Sequence, residues 1–179
     1  MPEFIELEGY RFQAYITQNQ IREKITTLAN QIAPIHQQKN LLFLPVMNGA
    51  LFFAADLMNE LASDVSYQSL RIKTYQGLKS VHEPEVMGLS EEAIEGRHVM
   101  ILEDLVDTGK TTDFLRAYLG KLGASSVQVA SLIFKKSAFR GKFPPDYYGF
   151  ECPNLFLLGY GMDVNEKGRN LKDIYKIKN

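Results

Sequence analysis

The 179-residue chain has a single cysteine, almost no net charge and no long hydrophobic run. Cys152 alone cannot close an internal disulfide, which fits a reducing compartment. Lys and Arg number 20 against 21 Asp and Glu, so the net charge of −1 gives no electrostatic case for nucleic acid. No apolar stretch approaches the roughly 20 residues of a membrane span. Glu3, Glu6 and Glu8 interrupt the first apolar residues, the wrong pattern for a signal peptide. Repeats, low-complexity tracts and a convincing linker are also missing. These absences leave one expectation: a soluble, cytoplasmic, single-domain protein. Its 45% hydrophobic content is ordinary for such a protein, and its length suffices for a substantial core.

Chemistry concentrates in one stretch. The apolar run Val99 to Leu102 reads as a buried parallel strand that ends in two acids, Glu103 and Asp104. Asp107, Thr108, Gly109, Lys110, Thr111 and Thr112 follow, and then Phe114, Leu115, Tyr118, Leu119 and Leu122 recur with helical period. Strand, tight loop and helix place these polar residues where open α/β sheets bind ligands. The free N–H groups and dipole of a helix start suit a phosphate. Gly109-Lys110-Thr111 imitates the end of a nucleotide-triphosphate loop, but that motif needs a glycine five positions before Gly109. Asp104 stands there, and its carboxylate would repel a polyphosphate. A sugar phosphate fits better: acids for ribose hydroxyls and a metal, the loop for one phosphate. Asp107, just before the helix, reads from its position as a helix cap.

The rest of the chain supplies a frame. Residues 1–16 read as extended, and Thr17 with Gln20 forms a capping box. Ile21, Ile25, Leu28 and Ile32 give the next helix one apolar stripe, Pro34 ends it, and His36 falls in a solvated loop. Leu41 to Met47 is a strand, turned by Asn48-Gly49-Ala50 into a helix with Leu51, Ala54, Ala55, Met58 and Leu61 inward. Tyr67 to Lys73 alternates as a strand, and residues 74–88 are a polar, glycine-punctuated loop that includes a solvated His82. Ser126 to Phe134 is a strand ending in Lys135 and Lys136. Ser137 to Phe150 reads as loop, Asn154 to Leu158 as a short strand, and Asp163, Glu166 and Arg169 lie in an irregular polar tail.

The segment Glu103 to Thr111 resembles the phosphoribosyl pyrophosphate (PRPP) signature of type I phosphoribosyltransferases, and more narrowly that of the hypoxanthine-guanine phosphoribosyltransferases. The resemblance runs from about Leu41 to Asp173 through several motifs in order. It implies an α/β fold of the type I kind: a mainly parallel central sheet flanked by helices, with a small hood from residues 1–16 and 137–179 and a catalytic lid over 74–88. It implies transfer of the phosphoribosyl group to hypoxanthine and guanine, through an oxocarbenium-like transition state with Mg2+. Asp107 would be the acid–base group. Glu103, Asp104, Asp107, Thr108, Gly109, Lys110, Thr111 and Thr112 would hold ribose and 5′-phosphate. Met47, Asn48 and Gly49, with a cis peptide at Met47–Asn48, would meet pyrophosphate together with Arg169. Many relatives carry lysine at the Asn48 position, so this loop has lost a charge. Thr74 and Tyr75 match the start of the lid. Lys135 would donate to the 6-oxo group of the purine, Phe156 would stack on it, and the Leu157 backbone would bond its edge. Glu103, Asp104 and Asp163 would serve the metal. The implied partners are PRPP and a 6-oxopurine, with no nucleic acid and no membrane, in a homo-oligomer (dimer or tetramer). A xanthine-preferring enzyme and a non-catalytic nucleotide or RNA sensor of the same fold are the alternatives.

Overall fold

The structure, a computed structural model, describes residues 1–61, 64–73 and 84–178. In chain order the elements are β1 (Phe4–Leu7), β2 (Tyr10–Ile16), α1 (Gln18–Lys39), β3 (Leu42–Pro45), α2 (Leu51–Glu60), β4 (Ser66–Tyr67), β5 (Arg71–Lys73) and β6 (Glu85–Met87). They continue as β7 (His98–Val106), α3 (Lys110–Lys121), β8 (Ser126–Phe134), β9 (Tyr147–Glu151), β10 (Leu157–Leu158) and β11 (Ile174–Ile177). The main sheet has five parallel strands in the order β4-β3-β7-β8-β9. Its central strands are apolar on both faces because helices cover both. Along β7 the two-residue period sorts the side chains: Met100 and Leu102 pack with α1 and α2, while Val99 and Ile101 pack with Leu115 and Leu119 of α3. Every strand therefore points its C-terminal end, and the loop that follows, toward one rim of the sheet.

A second sheet joins the two ends of the chain. It is antiparallel, ordered β1-β2-β11-β10, and Phe12, Leu158 and Tyr175 fill its core. A separate hairpin pairs β5 with β6, Arg71 opposite Met87. Among the described residues no helix is long and apolar enough to cross a membrane.

Several local expectations change. Pro34 does not end α1, which runs on to Lys39. Tertiary bonds hold the extra turn: the His36 ring lies within hydrogen-bond reach of the Asp64 carbonyl at 2.8 Å through Nε2, and Nδ1 accepts from the Leu41 N–H at 3.2 Å. With Nδ1 accepting, the ring proton sits on Nε2 and donates. His36 is thus a buried helix residue, not a solvated one. Asn40 then stops the helix in the left-handed conformation, its N–H on the His36 carbonyl at 2.7 Å. β7 does not end in the two acids but continues past them to Val106, because Leu105 and Val106 keep pairing with β8. The Tyr67–Lys73 stretch splits into β4 and β5, separated where Leu70 bridges to Val46. Residues 147–151, read as loop, add β9 to the main sheet, and the tail beyond Arg169 holds β11. The strand expected over 154–158 keeps only Leu157 and Leu158.

Candidate active site

Three loops meet at the C-terminal rim of the sheet. The first follows β3. Its Met47–Asn48 peptide is cis. The Val46 N–H donates to the Leu102 carbonyl at 3.0 Å and the Met47 N–H to the Leu70 carbonyl at 2.8 Å, so the loop is tied to both neighbouring segments. Gly49 lies against the Asp104 carboxylate so closely that a Cβ there would overlap it. The second loop, Gly159 to Asp163, follows β10. Gly161 adopts φ +101°, a conformation natural to glycine, and presses on the Gly49 carbonyl, leaving no room for a side chain. Arg169 fixes this turn by donating to the Gly161 carbonyl at 2.7 Å and pairing with Asp163 at 2.8 Å.

The third loop joins β7 to α3. Gly109 has φ +83° and opens the helix, with no side-chain cap. The N–H groups of Lys110, Thr111 and Thr112 lie in the first turn, where no intrahelical partner exists. Thr108, Lys110 and Thr111 are exposed, whereas Gly109 and Thr112 are buried. The Thr112 hydroxyl donates to the Gly109 carbonyl at 3.0 Å, so it braces the loop rather than facing a ligand as expected. The Phe139 ring covers Gly109, and the Arg140 N–H donates to the Thr108 carbonyl at 3.0 Å. The segment after β8 thus supports the loop from behind.

Between the loops lies a cavity of about 300 Å³ lined by Asp104, Leu105, Asp107, Lys135, Phe156, Leu157, Met162 and Asp163. Residues far apart in sequence and expected to act on one ligand converge here. Lys135, at the end of β8, is buried, and its Nζ pairs with Asp107 Oδ2 at 2.8 Å. Asp107 is therefore bonded across the cavity and does not cap α3, which removes the capping reading. Phe156 is 46% exposed at the mouth, its ring centroid 6.3 Å from that of Phe12. An aromatic face that stays in water beside a polar cavity is available to stack a flat ligand. Lys136 instead reaches Glu151 at 3.6 Å on the surface. Thr74, Tyr75 and His82 lie outside the described residues, and β6 takes up residues 85–87 of the expected lid.

Burial sets the charge of the floor. Glu103 is held well above the usual carboxylate range, first by loss of water and then by the neighbouring charge of Asp104. Burial likewise lifts Asp104 to about 6, against backbone N–H bonds from Asp104 and Leu105 and the attraction of Arg169, with Asp163 adding repulsion. Among the described residues no three carboxylate, histidine or cysteine side chains converge as a metal cage, so Glu103, Asp104 and Asp163 do not form an all-protein site. Asp104 and Asp163 still face the same cavity as oxygen donors. That donor set suits a hard cation held chiefly by substrate oxygens and water, as magnesium usually is in phosphate sites.

Sequence reasoning missed two contributors. Arg71 Nη2 donates to Asn48 Oδ1 at 2.6 Å, a contact with no local signal. The turn over Gly159 to Asp163 is legible in the sequence, but the approach of Gly161 to the Gly49 carbonyl has no local signal.

Comparison with known proteins agrees with this geometry. Residues 14–165 match the phosphoribosyl transferase domain. The chain is 29% identical over 175 residues to hypoxanthine phosphoribosyltransferase of Haemophilus influenzae, covering 96% of this chain and 98% of that protein. It is 31% identical over 163 residues to hypoxanthine-guanine phosphoribosyltransferase of Streptococcus pyogenes, covering 90% and 91%. A solved structure of the Trypanosoma cruzi hypoxanthine phosphoribosyl transferase superposes with a TM-score of 0.86 at 28% identity, over 97% of this chain and 94% of that one. The chain belongs to the phosphoribosyl transferase family and is an enzyme of the hypoxanthine phosphoribosyltransferase type.

Proposed function

We propose that the protein transfers the 5-phosphoribosyl group of PRPP to hypoxanthine, and also to guanine, giving the nucleoside monophosphate and pyrophosphate. The observation that carries this reading is the Lys135–Asp107 pair, set in one cavity with Phe156 and Leu157 beside a helix-start loop. Phe156 stacks the purine. Lys135 leaves Asp107 and donates to the 6-oxo oxygen, a contact that an amino group at the same position could not accept. Asp107, released from its partner, is free to exchange a proton with a ring nitrogen. The Leu157 backbone bonds the base edge.

The 5′-phosphate sits on the free N–H groups of the loop from Thr108 to Thr112, with Thr108 and Thr111 hydroxyls as further donors. Asp104, ionised above about pH 6, accepts from ribose hydroxyls, and Glu103 lies behind it. The negative field of Asp104 favours the positive charge that grows on an oxocarbenium-like sugar. The Met47-Asn48-Gly49 backbone and Arg169 face the leaving pyrophosphate. Asp104 and Asp163 would hold magnesium, which would supply charge neutralisation to the leaving pyrophosphate. The same reading carries a homo-oligomer, dimer or tetramer, in the cytoplasm. A Trypanosoma cruzi relative has been studied for the role of its C-terminal region in oligomeric state and activity.

The test is a spectrophotometric assay with PRPP and magnesium, offering hypoxanthine, guanine, xanthine and adenine separately. Turnover of hypoxanthine and guanine, abolished by a chelator, is the expected result. Turnover of adenine alone, or of no base by folded protein, contradicts the proposal.

A further inference from the structure

We infer that Tyr160 is a positioning residue for the transfer reaction: its hydroxyl, held by Asp56, docks the Gly159–Asp163 turn on α2 and so sets where Asp163 stands in the substrate cavity. This rests on the phosphoribosyl-transfer reading above. The turn runs through three consecutive residues at positive φ: Gly159 at +101°, Tyr160 at +49° and Gly161 at +101°. Glycine adopts such angles freely, but a bulky side chain is strained there, and the strain persists only where surrounding contacts fix it. Both glycines lie against backbone carbonyls, of Asp173 and Gly49, with no room for a Cβ. Tyr160 is therefore the one side chain by which residues 159–161 can be gripped.

The grip is specific. Tyr160 is 6% exposed, and its hydroxyl donates to Asp56 Oδ2 at 2.5 Å, with the Phe52 carbonyl at 3.4 Å. Burial, and then the bond to Asp56, pushes the phenol pKa well up, so the hydroxyl keeps the proton it donates. The backbone bonds of the turn run the other way, into the tail that follows it. The Tyr160 N–H donates to the Leu171 carbonyl at 2.8 Å and the Gly161 N–H to the Arg169 carbonyl at 2.9 Å. Among the described residues, the turn's hydrogen bonds to α2 are those of the Tyr160 hydroxyl alone. The side chain also lies outside the substrate cavity. Tyr160, Phe52 and Asp56 line a separate cavity of about 410 Å³ with Arg22 of α1, whereas Met162 and Asp163 line the substrate cavity. A residue so placed acts on substrate only through the backbone it holds.

The experiment is steady-state kinetics well below the melting temperature, with PRPP varied at saturating hypoxanthine and hypoxanthine varied at saturating PRPP. Tyr160→Phe removes only the hydroxyl. It should lower kcat/KM for PRPP about tenfold, as loss of one hydrogen bond to a charged group predicts. The hypoxanthine KM should move by less than about twofold, because the purine contacts, Phe156, Leu157 and Lys135, lie outside the turn. Asp56→Ala should match Tyr160→Phe, and the double variant should lose no more than either single one. Asp56→Asn keeps an acceptor for the hydroxyl and should keep most of the wild-type value. Unchanged kcat/KM for PRPP in Tyr160→Phe, or losses that add in the double variant, overturn the inference and leave the transfer reading intact. A lowered melting temperature with equal loss toward both substrates also overturns it, since that marks a structural role. Wild-type protein that turns over no base overturns both readings together.

Discussion

The loop from Asp107 to Thr112 and the loop from Met47 to Ala50 stand at the same rim of the sheet, yet they are built in opposite ways. The first is contiguous: a strand, a glycine at positive φ and a helix start supply its N–H groups, and the segment after β8 only backs it through Phe139 and Arg140. The second is assembled. Asp104 abuts Gly49, Gly161 presses on the Gly49 carbonyl, and Arg71 reaches over from β5 to Asn48. A contiguous loop can bind its anion wherever strand and helix fold. A composite loop works only when three remote segments agree, so damage to any of them should reach the ligand.

The predictions probe that contrast. The largest effect is expected at Asp107, where Asp107→Asn should lower turnover about 10²- to 10³-fold while PRPP affinity stays within about twofold. Steady-state kinetics paired with equilibrium binding would check this, and equal loss of PRPP affinity would make Asp107 a brace of the loop. Next is Gly161→Ala, which forces a side chain into the Gly49 carbonyl at a strained φ. It should weaken pyrophosphate about tenfold or more and leave monophosphate binding within about threefold, since backbone strain of this kind amounts to about 1–3 kcal/mol. Lys135→Ala should weaken oxopurine binding about tenfold, with a smaller effect on PRPP, because a buried charged donor is lost. Equal weakening of both ligands would remove Lys135 from the base site.

The smallest effect concerns stability. Asp104 carries its proton to about pH 6 in the folded protein, against the ordinary value of 3.8. As pH rises between these values the unfolded chain ionises first, so folding loses stability through that window and stays weaker above it. Asp104→Asn should therefore stabilise the unliganded protein by about 1–2 kcal/mol at pH 8 and by almost nothing near pH 3. Urea melts at the two pH values would measure it. A stabilisation equal at both would point to packing instead of charge.

The same contrast governs what could be read from the sequence. The strand over Ser126 to Phe134 and the Thr17–Gln20 capping box appear where local patterns put them. α2 forms where expected but turns Phe53, Ala54 and Leu57 inward and leaves Leu51 and Ala55 exposed, so its face is rotated from the one the sequence pattern gives. The run from Glu103 to Thr112 was legible because its chemistry is contiguous. Pro34 misled because a local stop signal was overridden by bonds from His36 to residues 41 and 64, which no local pattern contains. β9 and β11 were missed because each is short and gains its stability from partners already in place. Arg71 left no trace at all, since only folding brings it to Asn48. The Thr112 hydroxyl is a related case: sequence gives a residue's chemistry but not the carbonyl that claims it, here that of Gly109.

The most direct test is a crystal structure of the protein with inosine monophosphate. The phosphate should rest on the N–H groups from Thr108 to Thr112, the purine against Phe156, and Lys135 Nζ should have left Asp107 for the ring carbonyl. A nucleotide bound away from this cavity, or seated in it with the Lys135–Asp107 pair unbroken, would contradict the division of the site described above.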